Sequence, residues 1–192
     1  MPAASQSLPL TAALEDYLET IFELIQDRMV ARREKLELKT VQGDMADLSI
    51  FPDNSFDLIF NPVSNCFVPD PLPVWKESHR VLKPGGRLLT GIMNPDFYIF
   101  DCNLIETQKR LVVRHPLPYS DLTHLNENEL HAHRQSGEAL EYSHTMESLL
   151  GGLLNSGFQM SSFFEDRFAP NDEDPVSHFI PVSFAVLAEK YC

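Results

Sequence analysis

Apolar and polar residues recur along this chain with two periods. From Leu10, apolar positions fall at Leu14, Leu18 (or Tyr17), Ile21, Leu24 or Ile25, and Met29. That spacing predicts an amphipathic helix, running on to about Lys35 because no breaker intervenes. Residues 1–9, rich in Pro, Ser and Ala, read as a frayed end. The period then shortens. Leu36, Leu38 and Val41 in "LELKTVQ" predict a strand that stops at Gly43, and "SIFPDNSF" holds the turn formers Pro52, Asp53, Asn54 and Ser55. "FDLIF" (56–60) is nearly continuous in apolar residues, which predicts a short strand covered on both faces. A proline-rich loop, "NPVSNCFVPDPLP", follows. "PVWKESHRVL" (73–82) then has helical spacing through Val74, Trp75, Ser78, Val81 and Leu82, with Pro73 in its first turn. "KPGG" stops that helix, because Pro84 disfavours helix at Lys83 and the glycines permit positive φ. "RLLTGIM" (87–93) is the next buried strand.

Strand, helix and strand at short spacing predict an α/β fold with parallel strands. Residues 94–140 break that rhythm and read as an insertion over one end of the sheet. It contains an extended "RLVVRHPLPYS" and the flexible, polar "NENELHAHRQSGEALE". The rhythm resumes with a helix in "HTMESLLGGLLNSGF", ended by Gly157. Two strands follow, "FQMSSFFED" (158–166) and "IPVSFAVLAEK" (180–190), separated by a loop long enough to let them pair antiparallel.

Composition narrows the function. The 192 residues suffice for one domain with its own core, and 43% hydrophobic with 22% charged residues is ordinary for a globular protein. A net charge of −13, from 15 basic and 28 acidic residues, disfavours nucleic acid and anionic membranes as partners. The acidic groups Glu165–Asp166 and Asp172–Asp174 read as solvated loop residues. Cys66, Cys102 and Cys192 are widely spaced, so no disulfide framework is expected. No run of about 18 apolar residues occurs, and the N-terminus lacks a basic leader. A cytoplasmic location is the expectation.

Three stretches carry a family resemblance. "VQGDMADLSIFPDNSFDLIF", "WKESHRVLKPGGRLLTG" and "MESLLGGLLNSGFQMSSFFED…FAVLAEK" together resemble the C-terminal two-thirds of class I S-adenosylmethionine-dependent methyltransferases, over about Ala31 to Lys190. The resemblance implies a Rossmann-like sheet closed by a C-terminal antiparallel pair, S-adenosylmethionine as cofactor and in-line methyl transfer. "HPLPYSDLTHL" and "EYSHTMESLLGG" resemble the cap of the small-molecule branch, which implies a small-molecule acceptor. Residues 33–192 would form this domain, with the cap-like insertion at about 94–140. Residues 1–32 would be a tail and helix.

Ligands of open α/β sheets sit outside the carboxyl ends of parallel strands. By resemblance, Asp44 accepts from the adenine amine, Gly43 permits close backbone approach, and Met45 and Ala46 border the ring. An Asp44 that merely caps the turn "MADL" is the plainer alternative. Asn61, Pro62 and Ser64 follow the next strand, where the resemblance places the methionine portion of the cofactor. A simple Pro/Asn turn is the alternative. Tyr119 and His144, in the cap-like segments, are substrate-pocket candidates, and His144 could serve as a base. Tyr98 and Tyr142 could line the same pocket or simply pack. No catalytic residue is assigned, because methyl transfer needs chiefly alignment. His124, His131 and His133 lack the accompanying acids or cysteines of a metal site, so no metal is expected.

The first glycine is Gly43, so the family's glycine-rich loop and its first two strands have no counterpart upstream. Instead, "LEDYLETIFELIQDRMVAR" resembles the first helix of diphtheria-toxin-repressor-type regulators, with Asp16 and Glu19 at metal-binding positions. An amphipathic helix with both acids solvated is the alternative. The readings are therefore a methyltransferase or part of one, a non-catalytic remnant or interaction protein of that fold, and a metal-responsive regulator. Missing central strands also predict an exposed sheet edge, and with it possible homodimers.

Overall fold

The computed structural model describes residues 41–167 and 175–191. The chain divides into two compact units, Met1–Gln42 and Gly43–Cys192, and the architecture below is that of the second. The helix expected from Leu10, with Asp16 and Glu19, lies outside the described residues. So do residues 36–40 of the first expected strand, Asp172–Asp174 and Cys192. The described part of that strand, Val41–Gly43, pairs with nothing as a strand.

Four strands form one sheet in the order β1-β2-β4-β3. They are β1 (Phe56–Asn61), β2 (Leu82–Met93), β3 (Phe158–Asp166) and β4 (Ser183–Lys190). β1 and β2 run parallel, and β4 is antiparallel to both β2 and β3. Among the described residues this is the mixed sheet with a closing antiparallel pair that the sequence predicts. Helix α1 (Leu72–Val81) crosses between the parallel strands. Pro73 sits in its first turn, where the missing N–H is no loss, and His79 and Arg80 complement the dipole at its end. Its buried face is Val74, Trp75, Ser78 and Val81. The chain turns extended at Leu82 and enters β2 at once. Residues 83–86 bulge from the ladder: Phe56 pairs with Leu82, but Leu58 pairs with Arg87. Gly85 at φ +73 supplies the left-handed turn that the bulge requires.

The main core lies on one face of the sheet, where Trp75, Leu82, Leu88, Ile92, Leu149 and Val186 are fully buried. Helix α5 (Gly152–Asn155) continues from a π-helical turn over Glu147–Gly151. It seats Gly152 against Trp75, whose Cδ1 would lie 3.4 Å from an added Cβ. β2 and β4 are the buried centre. β1 is not covered on both faces: Asp57 and Leu58 are exposed, because among the described residues it pairs only with β2. Glu165 and Asp166 belong to the end of β3 rather than to a loop, although both are exposed.

The inserted segment forms a cap of short helices: α2 (Cys102–Gln108), α3 (Asp121–His124) and α4 (Glu127–Ser136). "NENELHAHRQS" is therefore an ordered helix, not a flexible stretch. Asn126 and Glu129 close a capping box at its start, and Gly137 at φ 79 ends it. "RLVVRHPLPYS" forms isolated bridges, Phe100 to Val113 and Ser120 to Tyr142, instead of a strand. Asn94 fastens cap to sheet: its side chain accepts from Asp96 N and donates to Pro181 O at 2.7 Å.

Candidate functional site

Two loops carry the expected cofactor residues. The first, Gly43–Asn54, takes its shape from a helix farther along the chain. Arg80 on α1 donates to Leu48 O, Phe51 O and Asp53, and is itself held by Glu77. Glu77 accepts from Leu48 N at 2.8 Å, and the Arg80 guanidinium keeps its carboxyl below the usual range. Within the loop, Asp44 performs the capping role: Oδ1 accepts from Ala46 N at 2.8 Å, and its carbonyl accepts from Asp47 N. Asp44 is exposed, and its second carboxylate oxygen has no partner among the described residues. Capping and ligand contact are therefore compatible. Met45 and Ala46 are half-buried and pack on the main core, so their side chains support the loop from below. An added Cβ at Gly43 would meet only Ile50, at 3.7 Å, so no protein contact requires glycine there.

The second loop leaves the carboxyl end of β1. Asn61 is buried and its side chain pairs with the Ser64 hydroxyl, while Pro62 is exposed. Asn65 Nδ2 donates to Gly91 O on β2 at 3.2 Å. Val63 lies directly on Gly91: an added Cβ would stand 2.6 Å from Val63 Cγ2 and 2.7 Å from Val63 N. Glycine is needed at 91 for this approach.

Of the substrate-pocket candidates, His144 joins this second loop. It is buried, and Nε2 lies 2.9 Å from Asn65 O. A carbonyl only accepts, so Nε2 is the donor, and Nδ1 has no hydrogen-bond partner among the described residues. Tyr142 N also donates to Cys66 O at 2.8 Å, which draws the segment after the cap onto the same loop. Tyr142 itself is only half-buried, whereas Tyr98 packs in the cap.

Tyr119 lies deeper in the cap. It stacks on Tyr98 with centroids 5.5 Å apart, and Cys66 completes that cluster. Its hydroxyl donates to buried Asp121 at 2.7 Å, and Tyr98 donates to Glu141 at 2.8 Å. Burial, with those acids close by, raises both phenol pKa values far above the usual range and lifts Glu141 above the ordinary carboxyl value. Burial also pushes the Cys66 thiol up to about 11, so it stays protonated. This hydrogen-bonded layer, Tyr98–Glu141 and Tyr119–Asp121, was not foreseen, because nothing in local spacing marks its members.

Beyond Tyr119 is a cavity of about 350 Å³ lined by residues between Asp101 and Glu138, all within the inserted segment. Asp101, Arg114, His115, Glu129 and His133 contribute to its wall. His131 is exposed and pairs with Gln135, whereas His133 reaches Ala139 O. Among the described residues no group of three or more His, Cys, Asp or Glu side chains could hold a metal ion. Among them, too, no helix is long and apolar enough to cross a membrane.

Comparison with known proteins fits this architecture. Residues 12–90 match the family described as Methyltransferase domain. That match begins upstream of Gly43, within residues 1–32, which were expected to be a tail and helix outside the domain. The uncharacterized methyltransferase YbaJ of Bacillus subtilis is 45% identical over 145 residues, covering 76% of this chain and 56% of YbaJ. This chain thus spans little more than half of that relative's length. A demethylmenaquinone methyltransferase from a Geobacillus species is 34% identical over 65 residues, covering 34% of this chain and 27% of that protein. An S-adenosylmethionine dependent methyltransferase from Mesorhizobium loti superposes with a TM-score of 0.57 at 20% identity, covering 83% of this chain and 74% of that one.

Proposed function

We propose that this chain, which belongs to the class I S-adenosylmethionine-dependent methyltransferases, contributes the adenine side and the acceptor side of a small-molecule methyltransferase site. The observation that carries this reading is the second loop. It leaves a parallel strand at its carboxyl end, where such sheets bind ligands, and receives His144 from beyond the cap.

The residues fit the cofactor in part. Asp44 has a carboxylate oxygen free for the adenine amine, with Gly43, Met45 and Ala46 as its backbone surroundings. Asn61, Pro62 and Ser64 stand at the methionine side. Among the described residues no glycine-rich cradle accompanies them. The cofactor, when bound, supplies an electrophilic methyl group. This chain's own residues orient the acceptor and exclude water from it. In this reading His144 Nδ1, the nitrogen not engaged by Asn65, accepts a proton from an acceptor hydroxyl or amine. Similarity to a demethylmenaquinone methyltransferase favours a small organic acceptor. Among the described residues β1 pairs along one edge only, and a homodimer through the other edge is a corollary of this reading.

A specific observation favours a second reading, a non-catalytic member of the fold: no glycine precedes Gly43. Calorimetric titration with S-adenosylmethionine decides between the two. Micromolar binding that Asp44→Ala abolishes and Asp44→Asn partly keeps supports the first, since Asn preserves both the cap and an acceptor. No heat at millimolar cofactor overturns it for this chain.

A further inference from the structure

The cap cavity has a wall that no protein contact satisfies. His115 is 9% exposed and lines the cavity, yet neither ring nitrogen has a hydrogen-bond partner among the described residues. Its only ring neighbours are aromatic: Tyr119 at 4.8 Å and His124 at 5.7 Å between centroids. A ligand in the cavity can engage either nitrogen of this imidazole without displacing a protein hydrogen bond.

The surrounding charges restrict what that can be. The Arg114 charge is balanced by two acids: Nη2 donates to both oxygens of Glu129 and Nη1 to Asp101. It offers little to an anion. Asp101 also accepts from Leu104 N, and Glu129 from Asn126 N, so neither acid waits for a cation. Glu138 is 70% exposed and faces His133. Burial, then Arg114 and His124, keep the His115 pKa below its usual value, so the ring is neutral at pH 7. A neutral imidazole presents one donor and one acceptor, and a hydroxyl can meet either. Tyr119 beside His115 offers one aromatic surface, and about 350 Å³ suits one or two fused rings.

We infer that this cavity binds an uncharged aromatic compound bearing a hydroxyl group, with His115 as the hydrogen-bond partner of that hydroxyl. The inference rests on the reading of the cap as the acceptor-binding part of a methyltransferase. It names the chemical class of the acceptor. Tyr119 both borders the cavity and belongs to the Cys66–Tyr98 cluster, which links the cavity to the loop after β1.

The test uses the full 192-residue chain without cofactor, so its result is independent of S-adenosylmethionine binding. Four probes share one ring system: 1-naphthol, 1-methylnaphthalene, 1-naphthoate and 1-naphthylmethylammonium, each titrated by ligand-observed NMR. The expected order has 1-naphthol tightest. His115→Phe should weaken it about tenfold, the equivalent of one lost hydrogen bond, while leaving 1-methylnaphthalene unchanged. Equal affinity of naphthol and methylnaphthalene in the unmodified protein overturns the role of the hydroxyl and needs no variant. Tighter binding of the naphthoate or the ammonium compound overturns the uncharged class. Absence of binding by all four at millimolar concentration overturns the site.

Discussion

The sheet and the cap of this chain are held together by different forces. The sheet rests on one contiguous apolar cluster around Trp75, Leu88, Ile92 and Val186. The cap has two small clusters, Cys66–Tyr98–Tyr119 and Ile105–Val176–Val182, and otherwise relies on polar contacts. Helix α4 buries no residue at all and depends on its capping box, its terminal glycine and the Arg114–Glu129 pair. Apolar burial is additive and tolerant of imperfect geometry, so it suits a scaffold. Directional bonds hold side chains at set angles, so they suit a surface that must recognise something.

The largest expected effect breaks the first half of this contrast. Trp75→Ala should cost about 3–5 kcal/mol and leave no cooperative melt by circular dichroism. Tyr119→Ala should loosen the cap while the sheet still melts as a unit. Equal loss of cooperativity in both variants would show that scaffold and cap are one structure. Next, Gly91→Ala forces Val63 and its backbone away from β2. It should cost about 1–3 kcal/mol in urea unfolding and shift the amide resonances of residues 61–66. An unshifted loop would deny that Gly91 sets its position. The smallest effect concerns pH. Because the folded protein holds His115 below its ordinary 6.5, the unfolded chain takes up that proton first. The stability due to neutral His115 is present above 6.5 and lost as pH falls through the lower folded value. His115→Phe should flatten that part of the stability profile, and an unchanged slope below pH 6.5 would place the acid sensitivity elsewhere.

Sequence periodicity served the scaffold well and the cap poorly, for the same reason. Helix α1 and strands β2 and β4 bury apolar stripes, and such stripes are visible as patterns at 3.6 or 2 residues. β1 misled, because "FDLIF" is apolar enough for a central strand but lies at the edge of the described sheet. Helix α4 buries nothing and so has no stripe. Its one legible signal was the Asn126 to Glu129 spacing of a capping box. The π-helical turn at Glu147–Gly151 and the contact of Val63 with Gly91 are tertiary fits that local spacing does not encode. At the site, Asp44 was legible as both cap and candidate ligand contact, and its bond to Ala46 N shows the cap. Burial and a place on the cavity wall single out His115, and both arise only when the segments of the cap fold together.

The Arg80 fork has a consequence for how this loop could change. Its backbone anchors are Leu48 O and Phe51 O, carbonyls that any amino acid supplies, and they lie 32 and 29 residues before Arg80. The instructions for the loop's shape are therefore written largely outside the loop. Those two anchors survive any recoding of positions 48 and 51 that keeps the backbone path, whereas a single altered codon at position 80 removes both at once.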